Sequence, residues 1–534
     1  LSQVEASAST TAQHVHRIAR AAGLVMALFI VSRVLGLLRE MVIARQFGTS
    51  PEMDAYVAAF RLPDLLFYLV AGGALGSAFI PVFAGHLSRA DWPAAWQLAS
   101  AVINWVALVL AGLAGLSAVL TPGLVPLFFP DFTAAQQNLT VELIRLLLCS
   151  TVIFGVSGVV MAILNAQQQF FLPALAPIFY NLAIILGAWL LGPLISVRGL
   201  AIGAVVGAAG HLLVQLPGLR RGLTPLHYQL TLAPQNRDLH EVGRLMGPRV
   251  VGVAAVQINF IVTAVLAAGL PAGSLAALNY SWIIMLLPQG IIAQSVATAL
   301  FPTLAALAAK GDIPEMRRIF GATLRSMLFL TLPATAGLIL LGEPIIRLIL
   351  QGGRFSPDST RLTTWALSFF ALGLVGHALV EIAVRAFYAL KDTKTPVGIG
   401  LLAMGVNIGL SFGLMPLFLG WGWPGHAGLA LANSLAVIFE MIILLVVLQR
   451  RMGGLSETAL RAPVMKVSLA TAGMALALLV SARFWPENPS WLAGLAGISL
   501  GGAVYVGLAY ALGVDELKSM ERRILRNLSR LRRQ

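Results

Sequence analysis

Two arginines and a glutamate interrupt an apolar stretch at 32–40, SRVLGLLRE. A charge facing lipid there would cost at least about 2.5 to 3.5 kcal/mol. Arg33 and Glu40 are seven residues apart and so share one helical face, with Gly36 between them letting backbone or ligand come close. With Arg39 the segment carries a net positive charge, and it must face a wet interior. A guanidinium stays protonated in low dielectric and offers a planar fork of donors to oxyanions. The chemistry expected is therefore anion recognition, a pyrophosphate being one fitting group. Arg249, directly after Pro248, is a further candidate cation at membrane depth. The structural alternatives are that Arg33 and Arg39 snorkel or pair with Glu40, and that Arg249 satisfies carbonyls freed by Pro248.

Other polar residues in apolar runs carry weaker expectations. Glu381 and Arg385 are four apart, the spacing of a helix ion pair, and read as structural with lobe gating as the other reading. Asn407, Ser411, Asn433 and Ser434 could line a cation site, although buried Asn more often joins membrane helices, and a neighbouring carboxylate is missing because Ser411 occupies the turn after Asn407. Glu440 reads as interfacial, and Gly72, Gly73 and Gly76 as close packing or a bend.

The elements that must position these residues are set by composition. With 58% hydrophobic and 11% charged residues over 534 positions, the chain is a multi-pass membrane protein. The single cysteine, Cys149, excludes an intrachain disulfide. The net charge of +14 resides at the ends of apolar runs and in the tail, which is a topology signal and not a nucleic-acid surface. No secretory signal precedes the first span, and because the chain opens at Leu1 a few further residues are expected before it.

Apolar segments of helical length fall at 22–46, 60–86, 94–121, 139–165, 173–194, 197–218, 243–270, 275–304, 320–342, 360–390, 394–418, 425–449, 463–484 and 489–513. The fold expected is all-α, with 14 transmembrane helices. Most loop Lys and Arg lie in the N-terminal arm, after even-numbered spans and in the tail; the opposite loops hold only Arg45, Arg61, Arg198, Arg347, Arg354, Arg361 and Arg483. Both termini are therefore expected in the cytoplasm.

An internal repeat is visible. SAFIPVFAGHLSRAD and TALFPTLAALAAKGD place Pro81 and Pro302 at an offset of 221, and Phe132 with Phe355 and Pro173 with Pro396 repeat at 223. The unit holds six spans, so the copies insert in the same orientation, related by a pseudo-twofold axis along the membrane normal. The expected organisation is a flexible arm (1–20), an N-lobe (21–220), a cytoplasmic linker (221–242), a C-lobe (243–450), two additional spans (451–513) and a basic amphipathic tail (514–534) that lies on the membrane surface.

The stretches SRVLGLLRE, FGTSPEMDAYVAAFRLPDLL, GALGSAFIPVF, MGPRVVGVAAVQIN, LFPTLA and FYALKDTKTP resemble the MurJ (MviN) family of lipid II flippases, within the multidrug, oligosaccharidyl-lipid and polysaccharide exporter superfamily. The resemblance covers about residues 20–450. It implies two six-helix lobes, a central cavity lined by spans 1, 2, 7 and 8, and a groove at the last two helices for a polyprenyl tail. The implied activity is moving the undecaprenyl-pyrophosphate-linked peptidoglycan precursor from the inner to the outer leaflet of the bacterial cytoplasmic membrane by alternating access. Arg33 and Arg39 match the family's cavity arginines, Glu40 stands where an acidic residue is usual, and Asp54 matches the turn acid. Phe67 and Tyr68 replace an arginine pair, Ile283 replaces another arginine, and Arg249 would compensate. Sodium binding in the second lobe is reported for some members.

These features favour a non-enzymatic transporter. Paired aspartates and histidine pairs at ligand spacing are absent from the sequence except His14 and His16, which argues against a membrane transferase or phosphatase. Alternative substrates are another polyprenyl-pyrophosphate glycan of the O-antigen type or, less favoured, drugs; a non-transporting scaffold would leave the intramembrane arginines unexplained. No G-x-x-x-x-G-K-[ST] motif occurs. Sodium, a proton acting through Glu40 or Glu381, membrane potential and consumption of the precursor on the far side all stay open as the driving force. The partners expected are the lipid-linked glycan and membrane lipids, and the protein is expected to be a monomer.

Overall fold

A computed structural model describes residues 2–71, 74–220, 227–454, 457–484 and 490–517, with backbone alone at 2–22, 74, 77, 248, 249, 251, 457–460, 484, 490 and 491. Gly72, Gly73 and the tail arginines Arg522 to Arg533 lie outside the described residues, as do the side chains of His14, His16 and Arg249. The described chain is helical, with a single isolated β-bridge between Gly352 and Phe355. Contacts divide it into two compact units, Leu1–Gly269 and Leu270–Gln534. The division falls one span later than the boundary of the sequence repeat.

The first unit contains α1 (Ser2–Phe47), α2 (Pro51–Val70), α3 (Ala74–Ser88), α4 (Trp92–Phe128), α5 (Ala134–Ala166), α6 (Phe171–Leu186), α7 (Gly192–Ile195), α8 (Arg198–Leu213), α9 (Leu216–Arg220) and α10 (Arg237–Ala268). Helix α1 begins at Ser2, so the residues expected as a flexible arm continue the helix. Its 46 residues span about 69 Å, twice the hydrocarbon core, so its first turns extend beyond a bilayer. Helix α2 starts at Pro51, nine residues before the span read from sequence. Ser50 caps it by accepting a hydrogen bond from Met53 N at 3.2 Å, with Pro at the first turn and Glu52 and Asp54 beside the helix dipole. Arg61, counted above as a loop cation, therefore lies inside α2 and is half-buried.

Helices α6 and α8 approach closely at glycines: a Cβ on Gly203 of α8 would lie 2.8 Å from Ala183 O of α6. A Cβ on Gly187 would lie 2.5 Å from Gly199 O, and this approach coincides with a π-helical turn over Gly187–Leu191. Helix α10 packs on α2 and α3. The segment leading into it is fastened to α4: Asn104 Nδ2 donates to Gln229 O (3.1 Å) and Thr231 O (2.8 Å), and Trp105 Nε1 donates to Leu232 O (2.9 Å).

The second unit contains α11 (Ser274–Gln289), α12 (Ser295–Lys310), α13 (Ile313–Leu340), α14 (Gly342–Ile349), α15 (Pro357–Leu372), α16 (Leu374–Ala389), α17 (Lys394–Gly420), α18 (Gly425–Arg451), α19 (Glu457–Ser481) and α20 (Ser490–Ala511). Its main core joins α12, α13, α16 and α18 through Leu304, Phe320, Phe387 and Leu444, all buried. A second core sets α19 and α20 against α13, where the Tyr505 hydroxyl donates to Phe329 O at 2.6 Å. Helices α15 and α16 meet at 43°. A Cβ on Gly373 at that bend would lie 2.8 Å from Ser434 Oγ, and Ser434 Oγ donates to Phe369 O at 2.6 Å, satisfying a carbonyl that the break frees.

Ten described helices are long and apolar enough to cross a membrane, or up to 12 if each bent pair is one span. The segments outside that count are α1, which carries Arg33, Arg39 and Glu40, and α2 with α3, which carry Arg61 and Asp64. Adding them is consistent with the fourteen spans read from sequence.

Candidate functional site

Helix α1 ends at Phe47, before the turn that leads to Ser50. Counted back from that end at 1.5 Å per residue, Arg39 is about 12 Å deep and Arg33 about 21 Å, inside a core about 30 Å thick. The two arginines have different surroundings. Arg39 is held on three sides: Nε and Nη2 donate to Glu40 Oε1 at 3.1 and 2.5 Å, and Nη1 donates to Asn181 Oδ1 at 3.1 Å. Its side chain keeps 24% exposure, while that of Glu40 has 8%. Asn181, on α6, also donates from Nδ2 to Ser32 O at 3.4 Å and so clamps α1 one turn before Gly36.

Arg33 is exposed, with no hydrogen bond or ion pair among the described residues. Glu40 thus neutralises Arg39, and the unpaired charge of the segment is Arg33. Gly36 faces the same clamp, but a Cβ there would meet Asn181 Nδ2 only at 3.9 Å, an ordinary contact. The close approach expected of Gly36 is not required by its protein neighbours. Asp54 is buried in the first turn of α2, where it favours the helix N-terminus. Arg249 lies on α10.

The second set of candidates is spread over α16, α17 and α18. Glu381 and Arg385 form their ion pair at 2.8 Å on half-buried side chains. Ser411 Oγ donates to Asn407 Oδ1 at 3.5 Å, both buried. Asn433 turns to α16, with its Oδ1 3.3 Å from His377 Nε2. Among the described residues, no group of three His, Cys, Asp or Glu could hold a metal ion.

The sequence reading passed over Asn181 and Asp64 and took Arg61 only as a loop cation. Asn181 is the polar residue of IFYNLAIIL, a signal of the kind used for Asn407; Asp64 lies in the quoted RLPDLL. In the second unit an apolar groove of about 740 Å³ runs along α13, α14, α19 and α20, lined by Phe329, Leu338, Met474, Leu478, Ile498 and Tyr505.

A family profile described as "Lipid II flippase MurJ" matches residues 43–495, most of both units. The chain belongs to the lipid II flippase MurJ family. A MurJ relative from Burkholderia cenocepacia, named lipid II flippase MurJ, is 30% identical over 441 residues, covering 79% of this chain and 82% of that protein. One from Thermotoga maritima, named probable lipid II flippase MurJ, is 31% identical over 492 residues, covering 92% and 96%. Among solved structures, "Lipid II flippase MurJ, inward closed conformation" superposes with a TM-score of 0.78 at 26% identity, covering 92% of this chain and 99% of that one. An inward-facing multidrug transporter of the MOP superfamily shares the fold, with a TM-score of 0.68 at 15% identity. The family is one of lipid II flippases, that is, of transporters.

In this chain the positions read as replacing an arginine pair build an aromatic cluster. Phe67 meets Tyr68 at 5.4 Å and Phe154 at 6.0 Å between ring centroids, and Phe154 meets Tyr180 at 4.9 Å. Apolar ring edges thus fill a place where the family resemblance leads one to expect cations.

Proposed function

We propose that this protein moves lipid II, the undecaprenyl-pyrophosphate-linked peptidoglycan precursor, across the bacterial inner membrane by alternating access, with both termini in the cytoplasm. The observation that carries the site assignment is the contrast on α1: an exposed, unpaired Arg33 beside an Arg39 held by Glu40 and Asn181. Arg33 supplies the free charge for the pyrophosphate. Arg39 has three of its five N–H groups engaged, so it enters with two donors whose directions are already fixed. Arg249 is the third cation of this reading. The apolar groove of the second unit is the place for the polyprenyl chain, whose burial is favourable by about 0.8 kcal/mol per CH₂ relative to water.

Sodium or protons would bias the cycle by binding one state better than the other, and membrane potential by acting on charge that moves between the states. Of the candidates named from sequence, Asn407 with Ser411, and Glu381 with Arg385, are the residues for such a bias in the second unit.

The test is growth rescue in bacteria depleted of their own lipid II flippase. The wild-type chain restores growth, and Arg33→Ala and Arg39→Ala do not. If well-expressed wild-type protein fails to rescue in a strain that also supplies the native lipid and partners, the reading shifts to another polyprenyl-pyrophosphate glycan.

A further inference from the structure

A second polar feature lies wholly within the first unit, apart from the α1 arginines. A cavity of about 480 Å³ lies among α2, α3, α5, α6 and α8, and Asp64 of α2 is the carboxylate on its wall. Thirteen residues after Pro51, Asp64 is about 20 Å from the start of α2, well inside a core about 30 Å thick. It has no hydrogen bond or ion pair among the described residues.

The neighbours are committed elsewhere. The Ser150 hydroxyl donates to Leu147 O at 2.6 Å, and that of Thr151 lies 3.4 Å from both Pro63 O and Leu147 O. Ser157 Oγ is 2.7 Å from His211 Nδ1 and receives Gln215 Nε2 at 2.8 Å. Ser157 and His211 thus satisfy each other. Arg61 lies one turn before Asp64 and the two charges attract, yet its guanidinium sits 5.5 Å from the ring centroid of Phe260 on α10 and makes no ion-pair contact with Asp64 among the described residues.

Among the described residues, the ionisable groups on the cavity wall are Asp64 and Tyr68 on α2, Tyr180 on α6 and His211 on α8, with Arg61 one turn from Asp64; the α3 and α5 residues on the wall carry no charge. Across α6, the Arg39 charge is already balanced by Glu40. A lone carboxylate at this depth is costly when ionised and unpaired, so it persists where a positive ligand comes and goes. One carboxylate, without a second acid and with Arg61 a turn away, is a poor cage for a metal ion but suffices for a proton.

We propose that Asp64 is a proton-exchange site: its carboxylate takes one proton from water in the cavity and returns it to water there, and this exchange is coupled to the transport cycle. The inference rests on reading the protein as a transporter. Its test uses no lipid substrate, so its failure and the failure of the flippase reading are distinguishable.

The experiment is an acid-minus-alkaline infrared difference spectrum of the purified full chain in lipid. Wild-type protein should show a protonated-carboxyl C=O band that shifts with ¹³C-labelled aspartate and is lost in Asp64→Asn. The same band at full strength in Asp64→Asn overturns the proposal, and so does its disappearance when sodium is added at fixed pH, which would make the ligand a sodium ion. Should Asp64→Asn not fold, carbodiimide modification of wild-type protein mapped by peptide mass spectrometry decides. The adduct at Asp64 should fall about tenfold per pH unit above the midpoint. No adduct at Asp64 while Glu440 of α18, which also has no hydrogen bond or ion pair among the described residues, is modified overturns the proposal.

Discussion

Arg33 and Arg39 stand six residues apart on one helix and should fail in different ways when shortened. Arg33 is exposed and bonded to nothing among the described residues, so Arg33→Ala should change stability by no more than about 0.5 kcal/mol while abolishing growth rescue. Arg39→Ala leaves buried Glu40 without its donors, and because the guanidinium keeps 24% exposure the cost is about 1 to 3 kcal/mol, short of a fully buried pair. Thermal unfolding in detergent, run beside the rescue assay, checks both; equal destabilisation by the two variants would remove the distinction. Sequence reasoning found the arginines because charge in an apolar run is conspicuous. It could not divide the roles, since the division depends on Asn181, 142 positions away from Arg39 and brought to it only when α1 packs along α6.

At the scale of elements, spans were legible from apolar length, whereas starts and breaks depended on local chemistry. The start of α2 was misplaced because Tyr56, Val57 and Ala58 continue a helix that the Ser50 cap has already opened, and that error moved Arg61 from a loop into the helix. A cap outside the membrane gives a pH prediction. Asp392 Oδ1 accepts from Lys394 N at 3.1 Å and Thr395 N at 3.0 Å at the start of α17, and the carboxylate pairs with Arg451. Desolvation pushes this carboxyl up, but hydrogen bonds from Thr395 and the Arg451 guanidinium outweigh it and hold it below its ordinary range. A depressed carboxyl stabilises the fold above its unfolded value, near 3.9, and that contribution fades as pH falls through the lower folded value. Wild-type protein should therefore unfold at a higher temperature than Asp392→Ala at pH 6, by the equivalent of about 1 kcal/mol for a lost cap, and the gap should close in strong acid. A gap independent of pH would mean the charge contributes nothing. The groove along α13, α19 and α20 gives a second prediction at this scale. A Cβ on Gly502 meets nothing within 4 Å, so Gly502→Leu should fill groove space without destabilising the helices and should reduce rescue; unchanged rescue would place the polyprenyl chain elsewhere.

For the whole molecule, the repeat and the compact units describe different things. The repeat is expected to hold six spans per copy, and two polar pairs fall at nearly matching offsets in the two units: Ser157 of α5 meets His211 of α8, and His377 of α16 meets Asn433 of α18, each buried or half-buried. Compactness instead groups α10 with α2 and α3, through packing and through His86 Nε2, 2.9 Å from Asp238 Oδ2. That grouping had no sequence signal because it arises from surfaces far apart in the chain. The orientation expected from the loop charges keeps its basis, since moving Arg61 into α2 removes a cation from the sparse side. The orientation can be tested with the single cysteine. Cys149 is free, so Cys149→Ser supplies a background in which Glu52→Cys and Arg89→Cys mark the two ends of the α2 and α3 pair, both at exposed positions. With both termini in the cytoplasm, a membrane-impermeant maleimide applied to spheroplasts should label Glu52→Cys directly and Arg89→Cys only after the membrane is opened. The reverse pattern would invert every loop and place Arg33 nearer the leaflet opposite to the one where the precursor is made, removing the basis for assigning its pyrophosphate to that residue on entry.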